Sequence, residues 1–85
     1  MEKQFHLDII TEQEVIYSGE AVSVIVPAQL GYLGVLADHA PLAAKIFPGR
    51  VAIREGSGNI RRFDIEAKGV MEVFSNNVTL LLDNA

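Results

Sequence analysis

The sequence predicts an all-β domain, an antiparallel sandwich or flattened barrel of short strands, and three observations carry that expectation. Apolar residues alternate with other residues along almost every apolar segment, which is the period of a strand. Turn-forming residues interrupt these segments about every 8 to 12 positions. The segments themselves are rich in Val and Ile, which pack well on a pleated surface and lose rotamer freedom in a helix.

Taken in order, Phe5, Leu7 and Ile9 share one face with His6 and Asp8 on the other, and Val22, Val24 and Val26 repeat the pattern. Pro27, which has no N–H for a ladder, is expected to stop the second run. PLAAKIF, residues 41–47, could make one helical turn, but Pro48-Gly49 cuts it too short for a stable helix and a strand is expected. Val51 and Ile53, Phe63 and Ile65, Met71 and Val73, and Val78, Leu80 and Leu82 complete the alternating set. Turns are expected at Ser18-Gly19, Pro48-Gly49, Gly56 to Asn59, Lys68-Gly69 and Ser75 to Asn77. Val15-Ile16-Tyr17 and Leu80-Leu81-Leu82 are apolar on both faces, so either both faces are covered or a patch is left for a partner.

The 85 residues make a single domain, 1–85, with 49% hydrophobic and 21% charged residues, the composition of a packed globular chain. A chain of this size buries only about 60 to 65% of its unfolded surface, so its stability margin is thin. There is no cysteine, which excludes disulfides and thiolate metal sites. No apolar run is long enough to span a bilayer, and the charged first ten residues do not read as a signal peptide, so no membrane insertion is expected. A net charge of −4 excludes a nucleic-acid binder of the usual basic kind. Before Lys45 six acids face one base, and from Lys45 onward six bases face five acids, so opposite faces can meet different partners.

Little in the chain reads as chemistry. Gly31 and Gly34 lack the lysine of a phosphate loop and are one glycine short of a dinucleotide fingerprint, so a positive-φ turn is the expectation. His39 has the right intrinsic pKa for acid or base work, yet no serine sits in a nucleophile motif, and a contact role is expected. Two histidines and no cysteine make a poor zinc set, and no tryptophan offers a sugar platform. Arg50, Arg54, Arg61 and Arg62 bracket the Gly56 to Asn59 hairpin and read as charges that keep a sheet edge soluble, with an acidic-partner contact as the alternative. Neither a catalytic residue, a cofactor nor a metal is expected, and the chain is expected not to be an enzyme.

FHLDII, the aromatic-Ser-Gly of Tyr17 to Gly19, SVIVPAQLGYLGVLADHAPL from Ser23 to Leu42, then PGRVAI, AKGVMEV and NNVTLLLDNA follow one another in an order that resembles the epsilon subunit family of the rotary F-type ATP synthase, called delta in mitochondria. The resemblance covers essentially the whole chain. It implies a β-sandwich or flattened barrel of about ten strands, and a non-catalytic rotor piece of the central stalk that binds the gamma subunit and the c ring and couples proton-driven rotation to ATP synthesis. It implies a place on the cytoplasmic face of a bacterial inner, energy-coupling membrane. The contact residues it implies are Gly31, Tyr32, Leu33, Gly34, Asp38, His39, Ala40, Pro41 and Leu42, with Tyr32, Leu33, Pro41 and Leu42 as buried anchors.

The chain departs from the family at Tyr32, where an acid is common, and at Ala37-Asp38, where Asp38 would restore that charge. Lys68-Gly69 replaces a Gly-Gly pair, which is tolerated if only the second position needs a positive φ. The C-terminal helical hairpin of longer relatives is absent, so neither inhibition by that hairpin nor nucleotide binding is expected. A weaker resemblance, to biotinyl and lipoyl carrier domains, would put a modified lysine at Lys68 on a hairpin tip.

Overall fold

The computed structural model describes residues 2–83, and every structural statement below concerns them. They form eight strands: β1 Phe5–Ile10, β2 Val15–Ala28, β3 Gly31–Leu36, β4 Leu42–Ile46, β5 Gly49–Glu55, β6 Ile60–Ile65, β7 Gly69–Phe74 and β8 Asn77–Leu82. The expected all-β class holds, and residues 42–46 are a strand as expected.

The strands number eight because β2 runs unbroken for 14 residues. Ser18-Gly19 is not a turn: it lies inside β2, where a Cβ on Gly19 would sit 2.9 Å from the Tyr17 hydroxyl, so that the ring would have to shift to admit one. Nor does Pro27 end the strand. The ladder from β2 to β5 has already stopped at Ile25↔Ala52, and the bridge to β4 comes at Ala28↔Ile46, so Pro27 falls in the gap between two partners. Its missing N–H disrupts no ladder there, while its carbonyl accepts from Phe47 N–H at 2.9 Å.

A straight strand of that length would run about 43 Å at ~3.3 Å per residue, longer than the 38 Å long axis of the molecule. β2 bends at a register shift between Ala21 and Ser23. Before it, Tyr17, Gly19 and Ala21 stand opposite Ile9, Leu7 and Phe5 of β1. After it the inward parity switches, and Val24 stands between Val35 of β3 and Ile53 of β5, all three buried. The extra residue of a bulge has this effect on side-chain parity, and it lets one strand serve two layers. One layer is β4-β7-β8-β1 with the first half of β2; the other is β3, the second half of β2, β5 and β6. Between them lies one core that includes Phe5, Leu7, Ile9, Val24, Val26, Ile53, Met71 and Leu80.

The sandwich is not wholly antiparallel, because β1 and β8 pair in parallel, with Leu7 opposite Val78 and Ile9 opposite Leu80. The ring β1-β8-β7-β4-β2 closes on itself with five members. Strict alternation of direction cannot close on an odd number, so one parallel pair is geometrically required.

Gly69 makes the closest backbone approach. A Cβ there would lie 2.2 Å from the Leu81 carbonyl oxygen, and its φ is not positive. The second glycine of the expected pair is thus kept for space between β7 and β8 and not for a left-handed turn.

Candidate partner-binding surface

The nine residues expected at a partner contact separate into two groups. Gly31 to Gly34 lie in β3, whereas Asp38 to Pro41 form the loop from β3 to β4, and Leu42 opens β4. The four residue steps from Tyr32 to Leu36 cover on the order of 13 Å, so Tyr32 and Asp38 sit at opposite ends of β3.

At the first end, Gly31 has φ +121°, a conformation that side-chain-bearing residues rarely adopt, and it pairs with Ala28 to close the turn through Gln29 and Leu30. Gly34 has no such constraint; it faces Ile25 on the outer side of the sheet. Tyr32 pairs with Pro27 and is 65% exposed, with its hydroxyl near the Gly49 backbone. Leu33 is half-buried against the core.

At the second end, Asp38 has φ +63° and its backbone N–H donates to Asn76 Oδ1 at 2.6 Å. The Asn76 amide returns a bond to Asp38 Oδ1 at 3.0 Å, and Lys3 Nζ lies 2.9 Å from Oδ2. The Asn76 and Lys3 bonds hold the Asp38 carboxyl below its ordinary range, Asn76 having the larger effect. The carboxylate expected to restore a charge for a partner is therefore already engaged by its own chain. His39 donates Nδ1–H to the Ala40 carbonyl at 2.8 Å, a local loop bond that leaves Nε2 as the free acceptor. Ala40 and Pro41 are exposed, while Leu42, like Leu33, packs partly buried against the core. Of the four expected anchors, Tyr32 and Pro41 are exposed, while Leu33 and Leu42 are partly buried against the core.

Sequence reasoning passed over Leu30, which is fully exposed at the tip of the β2–β3 turn. Its signal was an apolar residue immediately before the glycine pair, where a turn residue would ordinarily be polar. With Tyr32 it borders a groove of about 410 Å³ whose other wall is Ala43, Ala44 and Lys45 of β4.

The other chemical candidates resolve into structure. Arg50 faces Asp64 directly across β5 and β6, and Arg54 takes a two-pronged bond to Glu2 at 2.7 and 2.8 Å. Arg61 lies over the rings of Tyr17 and Phe63. His6 bonds Glu20 at 2.6 Å and Asp8 at 3.1 Å on the outer face of β1 and β2, and chiefly the Glu20 bond raises its pKa. Among the described residues no group of three or more His, Asp or Glu side chains is arranged to hold a metal ion. Lys68 stands on no hairpin tip: it lies in the crossing from β6 to β7, in different layers, with Nζ 5.7 Å from the centre of the Phe47 ring. The carrier reading finds no support.

Comparison with known proteins agrees with this architecture. The chain is 39% identical over 80 residues to the ATP synthase epsilon chain of Alkalilimnicola ehrlichii, covering 94% of this chain and 56% of that one. It is 42% identical over 83 residues to the corresponding chain of Bordetella avium, with the same coverage of each. It thus spans a little over half the length of these relatives. Among solved structures, a chain of the Euglena gracilis mitochondrial ATP synthase superposes with a TM-score of 0.85 at 21% identity, over 93% of this chain and 50% of that one. A chain of the central stalk and c-ring structure from Tetrahymena thermophila gives 0.76 at 13% identity, over 98% and 66%. At those identities the structures bear on the fold alone. The sequence profile described as "ATP synthase, Delta/Epsilon chain, beta-sandwich domain" matches residues 4–85. The chain belongs to that family.

Proposed function

We propose that this domain is a non-catalytic part of the central stalk of an F-type ATP synthase, gripping the gamma subunit and the c ring so that proton-driven rotation reaches the catalytic head without slipping. It would work at the face of an energy-coupling membrane through the complex, the cytoplasmic face in a bacterium, and not by inserting into the bilayer. The observation that carries this reading is the exposed apolar and aromatic rim at Leu30 and Tyr32, on a domain several of whose charged side chains pair with one another at the surface. A rotor piece needs such a surface and a stiff body, and the two-layer sheet with one dense core resists shear. Gly31, Tyr32, Gly34, His39, Ala40 and Pro41 are the family-implied contact residues that fit this role; Leu33, Leu42 and Asp38 would act by supporting the loops.

The test is co-purification of the chain with gamma and with a gamma–c-ring assembly, together with an ATPase assay of the chain alone. A stable complex and no hydrolysis are expected. Folded gamma and c ring that leave the chain wholly unbound would refute the reading.

A further inference from the structure

β4 is paired along its whole length on one side only. Leu42 to Ile46 stand opposite Gly69 to Val73 of β7, but toward β2 the single pairing is Ala28↔Ile46. Phe47 N–H points to Pro27 O at 2.9 Å, and this sets the parity of the strand. Backbone groups alternate sides along a strand, so Ala43 and Lys45 turn their N–H and C=O toward the same side as Phe47, away from β7. The bridge at Ile46 turns Lys45 C=O toward Gln29 N–H as the counterpart of the Phe47 bond, and beyond it no strand of the described residues pairs with the Lys45 N–H or with the N–H and C=O of Ala43. That side opens into the groove beneath the β2–β3 turn, about 410 Å³ in volume. Its walls near the backbone are small, Ala28, Ala43 and Ala44, so another main chain can come close. Lys45 is the one charged residue on the groove, and no carboxylate of the described residues lies within ion-pair distance of its ammonium.

An unpaired strand edge is a template for an extended backbone, and proteins use such edges to bind partner segments by strand addition. We propose that the free side of β4 at Ala43 and Lys45 takes up a short extended segment of the stalk partner as an added strand, with an acidic side chain of that segment set against Lys45. Main-chain bonds to Ala43 and Lys45 supply the grip, and Tyr32 and Leu30 close over the segment from the opposite wall. This deepens the stalk reading and rests on it for the identity of the partner; the strand geometry and the acidic character come from β4 itself.

The experiment uses a purified gamma–c-ring assembly lacking this subunit as the probe. Affinity and backbone hydrogen exchange are measured for the full chain and for Ala43→Pro and Lys45→Glu. On binding, the amides of Ala43 and Lys45 are expected to slow by about tenfold or more, since exchange reports new main-chain bonds. Ala43→Pro deletes only an N–H that faces away from β7, and it is expected to weaken binding about tenfold or more while the far-ultraviolet spectrum stays native. Lys45→Glu, which alters no backbone group, is expected to weaken binding and to reverse its salt dependence. If Ala43→Pro does not fold, the exchange of the unmutated chain and the Lys45→Glu salt profile decide. Binding with unchanged exchange at Ala43 and Lys45 overturns the strand-addition inference and leaves the stalk reading intact. No binding by the unmutated chain overturns the stalk reading itself and this inference with it.

Discussion

Asp38 and Asn76 clasp one another across the end of the sandwich, each in a left-handed backbone conformation, φ +63° and +62°, and each giving the other a hydrogen bond. The clasp ties the β3–β4 loop to the β7–β8 turn, and so joins the two layers at a point where no ladder does. His6 N–H adds a bond to the Asn76 carbonyl at 2.9 Å, which anchors the same turn to β1.

Because Asn76 holds both a positive φ and the clasp, two substitutions separate those roles. Asn76→Gly keeps the backbone free to adopt the turn and removes only the side-chain bonds, so a loss of about 1 kcal/mol is expected. Asn76→Ala adds the strain of a left-handed alanine and is expected to cost about 2 kcal/mol in all. Urea denaturation of both variants measures the difference; equal losses would mean that the turn carries no strain. The Asp38 carboxyl titrates below its usual value of 3.8 in the folded chain. Its contribution is therefore present above that value and lost as pH falls through the depressed folded value. The acid limb of the stability profile is expected to shrink in Asn76→Gly.

Gly69 and Gly31 are expected to respond to alanine for different reasons. At Gly69 the new methyl meets the Leu81 carbonyl oxygen, a backbone atom inside the β7–β8 ladder that cannot swing aside. Gly69→Ala is expected to cost about 3 kcal/mol, the upper range for overpacking. At Gly31 nothing lies within 4 Å of the added carbon, and only the φ of +121° resists it. Gly31→Ala is expected to cost about 1 to 2 kcal/mol, the range of local backbone strain. Thermal melts of the two variants should rank them in that order.

Tyr17 predicts a limit on the alkaline side. Its hydroxyl donates to Glu55 Oε2 at 2.5 Å, and burial, followed by the bond to Glu55, pushes its pKa from 10.0 to about 12. Since the folded value is raised, the stabilisation is whole below pH 10, the ordinary value, and is lost as pH climbs through about 12. Tyr17→Phe should remove this alkaline step and cost about 1.5 kcal/mol at neutral pH for the lost bond to a carboxylate. Denaturant midpoints between pH 8 and 11.5 for both chains check the claim, and a step of the same size in Tyr17→Phe would overturn it.

How much of this was legible beforehand depends on the range over which each feature is set. Strand faces such as Phe5-Leu7-Ile9 and Val22-Val24-Val26 are written in local alternation, and they were readable. The switch of β2 from one layer to the other was not, because a bulge leaves no residue-type mark when Ala21, Val22 and Ser23 all suit a strand. Ser18-Gly19 resembled a turn because local chemistry cannot reveal that the Tyr17 ring lies over Gly19. The order of motifs identified the family, since many weak matches in register reinforce each other. What the contact segment could not disclose was that Asp38 is clasped by Asn76, 38 residues away in sequence, while Tyr32 stays free.

Tyr32 therefore carries the last prediction. It is 65% exposed, so its ring adds little to the stability of the isolated domain, and Tyr32→Ala should leave the melting temperature close to unchanged. In a partner contact the same ring is the kind of residue that supplies binding energy, large, rigid and carrying one polar atom. Truncating it is expected to weaken binding to a gamma–c-ring assembly by about 2 kcal/mol, roughly 30-fold. Tyr32→Glu introduces the acid that the family resemblance leads one to expect there and separates area from charge: binding above that of Tyr32→Ala would mean that the partner presents a basic group at this spot, while equal weakening would assign the contribution to the ring alone. Asp38→Asn is the matched control at the other end of β3. It keeps an acceptor for the Asn76 amide while removing the charge beside Lys3, so it should leave binding unchanged if Asp38 serves the fold and not the partner.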